Sequence, residues 1–88
     1  MWVTGPVTLL NATELLALGL DHVRAGVSSI DLAEISALDS SLLATLLAWI
    51  REARALKHAL VVTNPPKGLL TLAQLYGVDE LLPVADPR

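Results

Sequence analysis

Hydrophobic and polar residues along the chain follow two spacings, one typical of strands and one typical of helices. Short apolar runs with β-branched residues predict strands, and longer runs with leucine at intervals of three or four predict amphipathic helices. The predicted elements are a strand at Trp2–Thr4, a helix at Asn11–Arg24, a strand at Val27–Leu32, a helix at Asp39–Leu56, a strand at Ala59–Thr63, a helix at Pro66–Tyr76 and a short strand or turn at Leu81–Val84.

Residues that favour turns and caps mark the ends of the first two elements. Gly5-Pro6 is predicted to stop the first strand, because proline has no N–H to offer a sheet ladder. The next residues, Val7-Thr8-Leu9-Leu10, either extend the strand after a kink or lead into the first helix. Asn11 or Thr13 is a suitable N-cap for the first helix, and Glu14 completes a capping-box pattern with Asn11. These positions predict that the first helix begins shortly after a turn.

The second predicted helix has the widest apolar stripe. Trp49 lies beside this stripe and fits either core or rim packing or a stacking platform. The residues predicted to face inward are Leu43, Leu46, Leu47, Ile50 and Ala53, and those predicted to face water are Arg51, Glu52 and Arg54.

Strands and helices alternate along the whole chain, which predicts an α/β fold. Parallel pairing with right-handed crossovers gives a small, mostly parallel β-sheet packed by helices. Gly26 and Gly77 are expected to end the first and third helices. A chain of 88 residues without a long linker predicts one domain over residues 1–88, ending in a polar tail at Ala85–Arg88.

The composition is unusually apolar for a small domain. Hydrophobic residues make up 53% of the chain, twenty residues are leucine, and the mean hydropathy is +0.58. No apolar stretch reaches the ~18 residues of a membrane span, and no signal-peptide pattern is present. The excess of apolar residues fits either a well-filled core or a surface covered by a partner.

The charged residues exclude several classes of function. The net charge is −3 and lysine and arginine are scattered, so the chain has no basic stripe for nucleic acid. Cysteine is absent, which excludes disulfides and thiolate metal sites. The glycine-rich phosphate-binding motifs are also absent. We therefore expect no nucleic-acid partner and no cofactor or metal.

Candidate chemistry is concentrated at Asp39-Ser40-Ser41, where the second helix begins. Free N–H groups and the helix dipole favour negative charge at such a position. A phosphate on Ser40 would be favoured by the helix and opposed by Asp39, which is a basis for a switch. The plainer alternative is an ordinary N-cap, since aspartate and serine are preferred cap residues.

A serine hydrolase would need a base close to Ser40. His58 follows the far end of the same helix, more than about 20 Å away at ~1.5 Å per residue. His22 and His58 have no second ligand at metal-binding spacing, and each is interpreted as a structural or solvated histidine. We therefore predict a protein that is not an enzyme.

The strand ending in Ile30-Asp31-Leu32, the Asp39-Ser40-Ser41 turn and the leucine-rich helix resemble the STAS domain of anti-sigma factor antagonists and transporter-associated modules. The family signature is aspartate, then serine or threonine, a small residue and glycine. Asp39, Ser40 and Ser41 match it, whereas Leu42 replaces the glycine. The resemblance implies the STAS fold, an α/β domain with a small, mostly parallel sheet.

The stretch Leu69–Val78 resembles the third helix of the MlaB-type STAS subunits of Mla phospholipid ABC transporters. This resemblance implies a non-catalytic subunit that binds an MlaF-like ATPase and, through it, the permease complex. The protein would be cytoplasmic and peripheral to the inner membrane, in a system that maintains outer-membrane lipid asymmetry. The implied partner-binding residues are Asp39, Ser40, Ser41, Leu42 and Thr45, with the last two on the exposed helix face. The alternative is an anti-sigma factor antagonist switched by phosphorylation of Ser40.

Overall fold

The computed structural model describes residues 1–84, and the predicted polar tail at Ala85–Arg88 lies outside them. The alternation of strands and helices is confirmed. The elements are β1 (Gly5–Val7), α1 (Ala12–Arg24), β2 (Ser29–Asp31), β3 (Ile35–Leu38), α2 (Ser40–Ala55), β4 (Val61–Thr63), α3 (Lys67–Leu75) and a 3₁₀ turn at Asp79–Leu81. The predicted α/β class is therefore correct, with one strand more than the pattern indicated.

Every strand pairing among residues 1–84 is parallel. β1 pairs with β3, and β2 pairs with β4. A bridge between Trp2 and Asp31 joins the two pairs, and a bridge between Val62 and Val84 extends the far side. The chain over residues 1–7 therefore runs beside residues 29–38, and the strands form two short parallel sheets joined by that bridge.

The additional strand arises from a turn that interrupts one extended segment. The Asp31 carboxylate accepts a hydrogen bond from the Ala33 N–H at 2.8 Å, and the Leu32 carbonyl accepts one from the Ile35 N–H at 3.3 Å. This local bonding forms a turn between Asp31 and Ile35, although the Leu32 N–H still donates to the Thr63 carbonyl and the Glu34 carbonyl accepts from the Gly5 N–H. The segment resumes pairing at β3, with β1 as its neighbour.

The first strand does not stop at Gly5-Pro6, and the alternative that it extends after a kink is correct as far as Val7. Gly5 has a positive φ of 77°, and its N–H donates to the Glu34 carbonyl at 3.0 Å, so the ladder continues into β1 with an irregularity between Gly5 and Pro6. Proline is tolerated here because residues 1–7 form an edge of the sheet, where a missing N–H breaks no ladder bond.

The core lies between the sheet and the helices, and α2 contributes most to it. The fully buried large side chains are Trp49, Ile30, Leu32, Leu42, Leu46, Leu69, Val7, Val23 and Val62. Of the predicted inward stripe of α2, Leu47 is only partly buried and the other four residues are buried. The stripe is wider than predicted because α1 packs along one side of α2 and α3 along the other.

Trp49 fixes the close approach of α1 and α2. Its side chain is fully buried, and its Nε1 donates to the Leu16 carbonyl at 3.1 Å. The indole ring lies against Gly19, where an added Cβ would be 2.0 Å from a ring carbon. Trp49 is thus a core residue, and the contact requires glycine on the facing helix.

Candidate partner-binding site

Asp39 organises the start of α2. Its carboxylate accepts hydrogen bonds from the Ser41 N–H at 2.8 Å, from the Ser41 hydroxyl and from the Leu9 N–H at 3.1 Å. These bonds, with the Ser41 hydroxyl contributing most, hold the pKa of the Asp39 carboxyl below its ordinary value. The predicted N-cap is confirmed, and it also ties α2 to the loop that precedes α1.

The two hydroxyls that follow Asp39 lie in different environments. Ser40 is the first residue of α2 and is exposed. Ser41 is 9% exposed, and its hydroxyl donates to the Asp39 carboxylate. Ser41 is therefore occupied in the cap, and only Ser40 presents a free surface to a kinase or a partner.

A short loop beside the cap presents two leucines to solvent. Leu9 is 76% exposed and Leu10 is 98% exposed. The loop is nevertheless well held, because Asn11 accepts from the Thr8 N–H at 2.9 Å and donates through Nδ2 to the Pro6 carbonyl at 2.8 Å. The Asn11 side chain thus holds the loop and makes no cap bond to α1, so the predicted capping box is absent.

A shallow apolar groove runs from Ser40 between α2 and the end of α3. It is lined by Ser40, Leu43, Ala44, Leu47, Tyr76 and Val78. Tyr76 is 57% exposed at the rim. The groove and the Leu9-Leu10 loop, which is bonded to Asp39, place exposed apolar side chains next to Ser40. Contiguous exposed apolar surface is a mark of protein-interaction sites.

The prediction that Leu42 and Thr45 lie on the exposed face of α2 is wrong. Leu42 is fully buried and Thr45 is 4% exposed. These positions and Trp49 are spaced by three and four residues, so they share the face of α2 that α1 covers. Leu42, which replaces the family glycine, fills the core and leaves Ser40 uncovered. Either residue can influence a partner only through the packing of α2.

Three exposed residues of this surface, Leu9, Leu10 and Tyr76, were not predicted from the sequence as part of the site. Leu9 and Leu10 follow an apolar run without a break, so the pattern favoured an extended strand or an early helix. Tyr76 follows the last residue of α3, where the helical period no longer assigns a face. The available signal for an exposed loop was the pair Leu9-Leu10 directly before Asn11, because asparagine favours turns.

The base considered for Ser40 in the sequence, His58, lies away from it. The His58 Nε2 lies 3.1 Å from the Val23 carbonyl, after the opposite end of α2 from Ser40. Within residues 1–84 no histidine is hydrogen-bonded to Ser40, and no group of three metal-ligating side chains occurs. No helix in that same range has the length and apolar content to span a membrane.

Comparison with known protein families shows which family this sequence belongs to. A family model described as "Mlab, STAS domain" matches residues 1–83. The chain belongs to this STAS-domain family. STAS domains are generally non-catalytic regulators. No curated protein matches the chain.

Solved structures show the same STAS fold. The anti-sigma factor antagonist SpoIIAA in its unphosphorylated form has a TM-score of 0.72 and 19% identity, over 98% of this chain and 77% of that one. The Bacillus cell fate determinant SpoIIAA in its phosphorylated form has a TM-score of 0.68 and 19% identity, over 98% and 80%. At this identity the likeness establishes the fold.

Proposed function

We propose that this STAS domain is a non-catalytic subunit that binds and regulates the ATPase of an Mla-type phospholipid ABC transporter. It would contact the permease through that MlaF-like ATPase, at the cytoplasmic side of the inner membrane. The match to the MlaB family model over residues 1–83 supports the transporter assignment. The activity that it serves is the maintenance of outer-membrane lipid asymmetry.

The observation that carries this proposal is the exposed Ser40 surrounded by exposed apolar side chains. Leu10 projects from a loop held by side-chain hydrogen bonds, and Tyr76 forms the rim of the groove on the other side. Burying such a surface under another protein is favourable by about 25 cal/mol per Å² of apolar area. The preorganised loop reduces the entropy that binding would otherwise lose.

The replacement Ser40→Glu tests this surface directly. A carboxylate at residue 40 would have to lose its hydration beneath an apolar partner, close to the Asp39 carboxylate. We expect the affinity for the MlaF-like ATPase to fall about tenfold or more, equivalent to ~1.4 kcal/mol. The measurement is titration calorimetry of the purified chain with the ATPase, accompanied by the rate of ATP hydrolysis.

The matched control is Ser28→Glu. Ser28 is also exposed, but it lies at the N-terminal end of β2, whereas the α2 cap follows the C-terminal end of β3. Because the strands are parallel, these two ends lie on opposite sides of the fold. Ser28→Glu adds the same charge, so a general electrostatic effect would weaken both variants equally. Equal affinities for the Ser40 and Ser28 variants, or no complex between the wild-type chain and the ATPase, would contradict the proposal.

A second candidate function is supported by the free hydroxyl of Ser40. Both solved relatives described above are forms of an anti-sigma factor antagonist, one of them phosphorylated. In this interpretation the chain binds an anti-sigma factor and is switched by phosphorylation of Ser40. Because Ser40 is exposed and Ser41 is buried in the cap, a single site is expected.

Incubation with an anti-sigma factor kinase and ATP separates the two candidates. The anti-sigma interpretation predicts that the intact mass rises by one phosphate, that Ser40→Ala abolishes the change and that Ser28→Ala does not. An unchanged mass for the wild-type chain would rule out the switched antagonist. It would leave the transporter proposal intact, because that proposal needs no modification of Ser40.

A further inference from the structure

Five residues on one outward side of α2 form a regular stripe that the site around Ser40 does not use fully. The stripe consists of Ser40, Ala44, Leu47, Arg51 and Arg54. Four of these residues are exposed and Leu47 is partly buried. Their spacing of four, three, four and three residues is the spacing of a helix-packing seam. We call this set the α2 seam.

The α2 seam is bordered by apolar side chains from the next elements of the chain. Its first half forms the groove with Tyr76 and Val78. Its second half continues into a depression lined by Leu47, Ile50, Arg51, Arg54 and Leu81, so Leu47 belongs to both halves. From Ser40 to Arg54 the seam is about 21 Å long at 1.5 Å per residue. A partner helix of about four turns has the same length.

The two halves of the α2 seam differ in charge. The small residues Ser40 and Ala44 allow a close approach at one end, whereas Arg51 and Arg54 occupy the other. The salt bridge found within residues 1–84 joins Arg24 to Glu52, and neither Arg51 nor Arg54 has a carboxylate partner in that range. A ligand that carries negative charge over the arginine end of the seam would therefore be favoured over one that carries positive charge there.

We propose that the α2 seam binds one amphipathic helix of a partner protein, with an apolar stripe along its length and acidic residues over Arg51 and Arg54. The identity of that protein rests on the proposed function, which makes it the ATPase subunit. A helix fits because the two depressions share Leu47 and form one groove along α2, the shape that helix-in-groove recognition uses. The α2 seam of a second copy does not fit, because it has no carboxylate to pair with the arginines.

The test uses the whole 88-residue chain and two stapled helical peptides of sixteen residues. Both peptides carry the same leucine stripe, one with glutamates at one end and the other with lysines there. Amide shifts are recorded by NMR for residues 40–54. We expect the glutamate peptide to shift these amides and to bind about tenfold more tightly than the lysine peptide. Equal binding of the two peptides, or shifts elsewhere, would overturn the proposal.

Arginine variants connect this preference to the α2 seam. Replacing both Arg51 and Arg54 with glutamine should remove the preference for glutamate. The single change Arg24→Gln should preserve it, because Arg24 lies on α1 and pairs with Glu52. Circular dichroism confirms that each variant is folded. A preference that survives the double replacement contradicts the assignment of Arg51 and Arg54.

Photo-crosslinking then identifies the natural ligand. A benzoylphenylalanine at position 47, in the complex with the ATPase, should react with one acidic amphipathic helix of that subunit. The same group at Leu18, which is 60% exposed on α1, is the control and should not. Crosslinks to a loop, a strand or a second copy overturn the proposal. If the glutamate peptide binds the seam and the ATPase does not bind the chain, the seam stands and the proposed function fails.

Discussion

Replacing Leu42 with aspartate is expected to leave the chain unfolded at 25 °C. Leu42 is fully buried in the core between α2 and its neighbours. Truncation of such a leucine to alanine costs about 2–5 kcal/mol, and a buried carboxylate without a partner costs several kcal/mol more. The sum exceeds the stability of many domains of this size, about 5–15 kcal/mol in general. The far-ultraviolet circular dichroism spectrum should show the loss of helix.

Ala44→Asp is the matched control, since it places the same charge two residues further along α2 on the exposed side. We expect it to fold, with a loss of less than about 1 kcal/mol from helix propensity. It should weaken partner binding because it lies in the α2 seam. A folded Leu42→Asp variant with wild-type stability would contradict the burial of this residue, and it would restore Leu42 as a surface position.

Gly19→Ala is expected to destabilise the protein, although alanine is the better helix former. The added Cβ would lie 2.0 Å from the Trp49 ring, so one of the two helices must move. Overpacking of this kind costs about 1–3 kcal/mol, and each kcal/mol lowers the Tm of a domain this size by about 4–8 °C. Thermal unfolding followed by circular dichroism measures the change.

The control for this substitution is Gly68→Ala, at the other helical glycine. There the new Cβ would meet the Leu38 side chain at 3.7 Å, an ordinary contact. This variant should be as stable as the wild type or more stable by up to about 1 kcal/mol. In a Trp2→Phe background the remaining tryptophan fluorescence should shift only in Gly19→Ala. Equal stability of both glycine variants would contradict the close packing of Trp49 on α1.

The helices could be predicted from the sequence because their signals are local. α2 begins one residue after its aspartate cap, and α1 and α3 are each followed within two residues by a glycine of positive φ, Gly26 and Gly77. Caps and left-handed glycines depend on the nearest few residues and leave a direct trace in the sequence. The parallel, helix-packed sheet followed from the alternation of elements.

The orientation of helix faces could not be predicted with the same certainty. Leu42 and Leu47 are identical residues five positions apart, yet one is fully buried and the other only partly. In a chain with twenty leucines, the apolar stripe is wider than the buried face, so spacing alone leaves the boundary open. The neighbours of α2 decide it, and these are set by the tertiary fold.

In the candidate site, too, some features are set by the local sequence and others by the tertiary fold. The position of Ser40 at the start of α2 could be predicted from the cap aspartate before it, and Ser40 is exposed. Leu9 lies beside the start of α2 because its N–H donates to the carboxylate of Asp39, thirty residues later in the chain. No local pattern encodes such a contact, because it forms only when β1 and β3 lie side by side. The surface around Ser40 was therefore only partly predictable.

The parallel pairing of the strands has a consequence for how the chain folds. Gly5 pairs with Ile35, and Ser29 pairs with Val61, so ladder partners are about thirty residues apart. No hairpin can nucleate such a sheet, and loop-closure entropy is lost before any ladder bond is gained. The helices, whose bonds are local, can form first. Nascent α2 therefore exposes its leucines until the last strand arrives, a period in which it is vulnerable to aggregation.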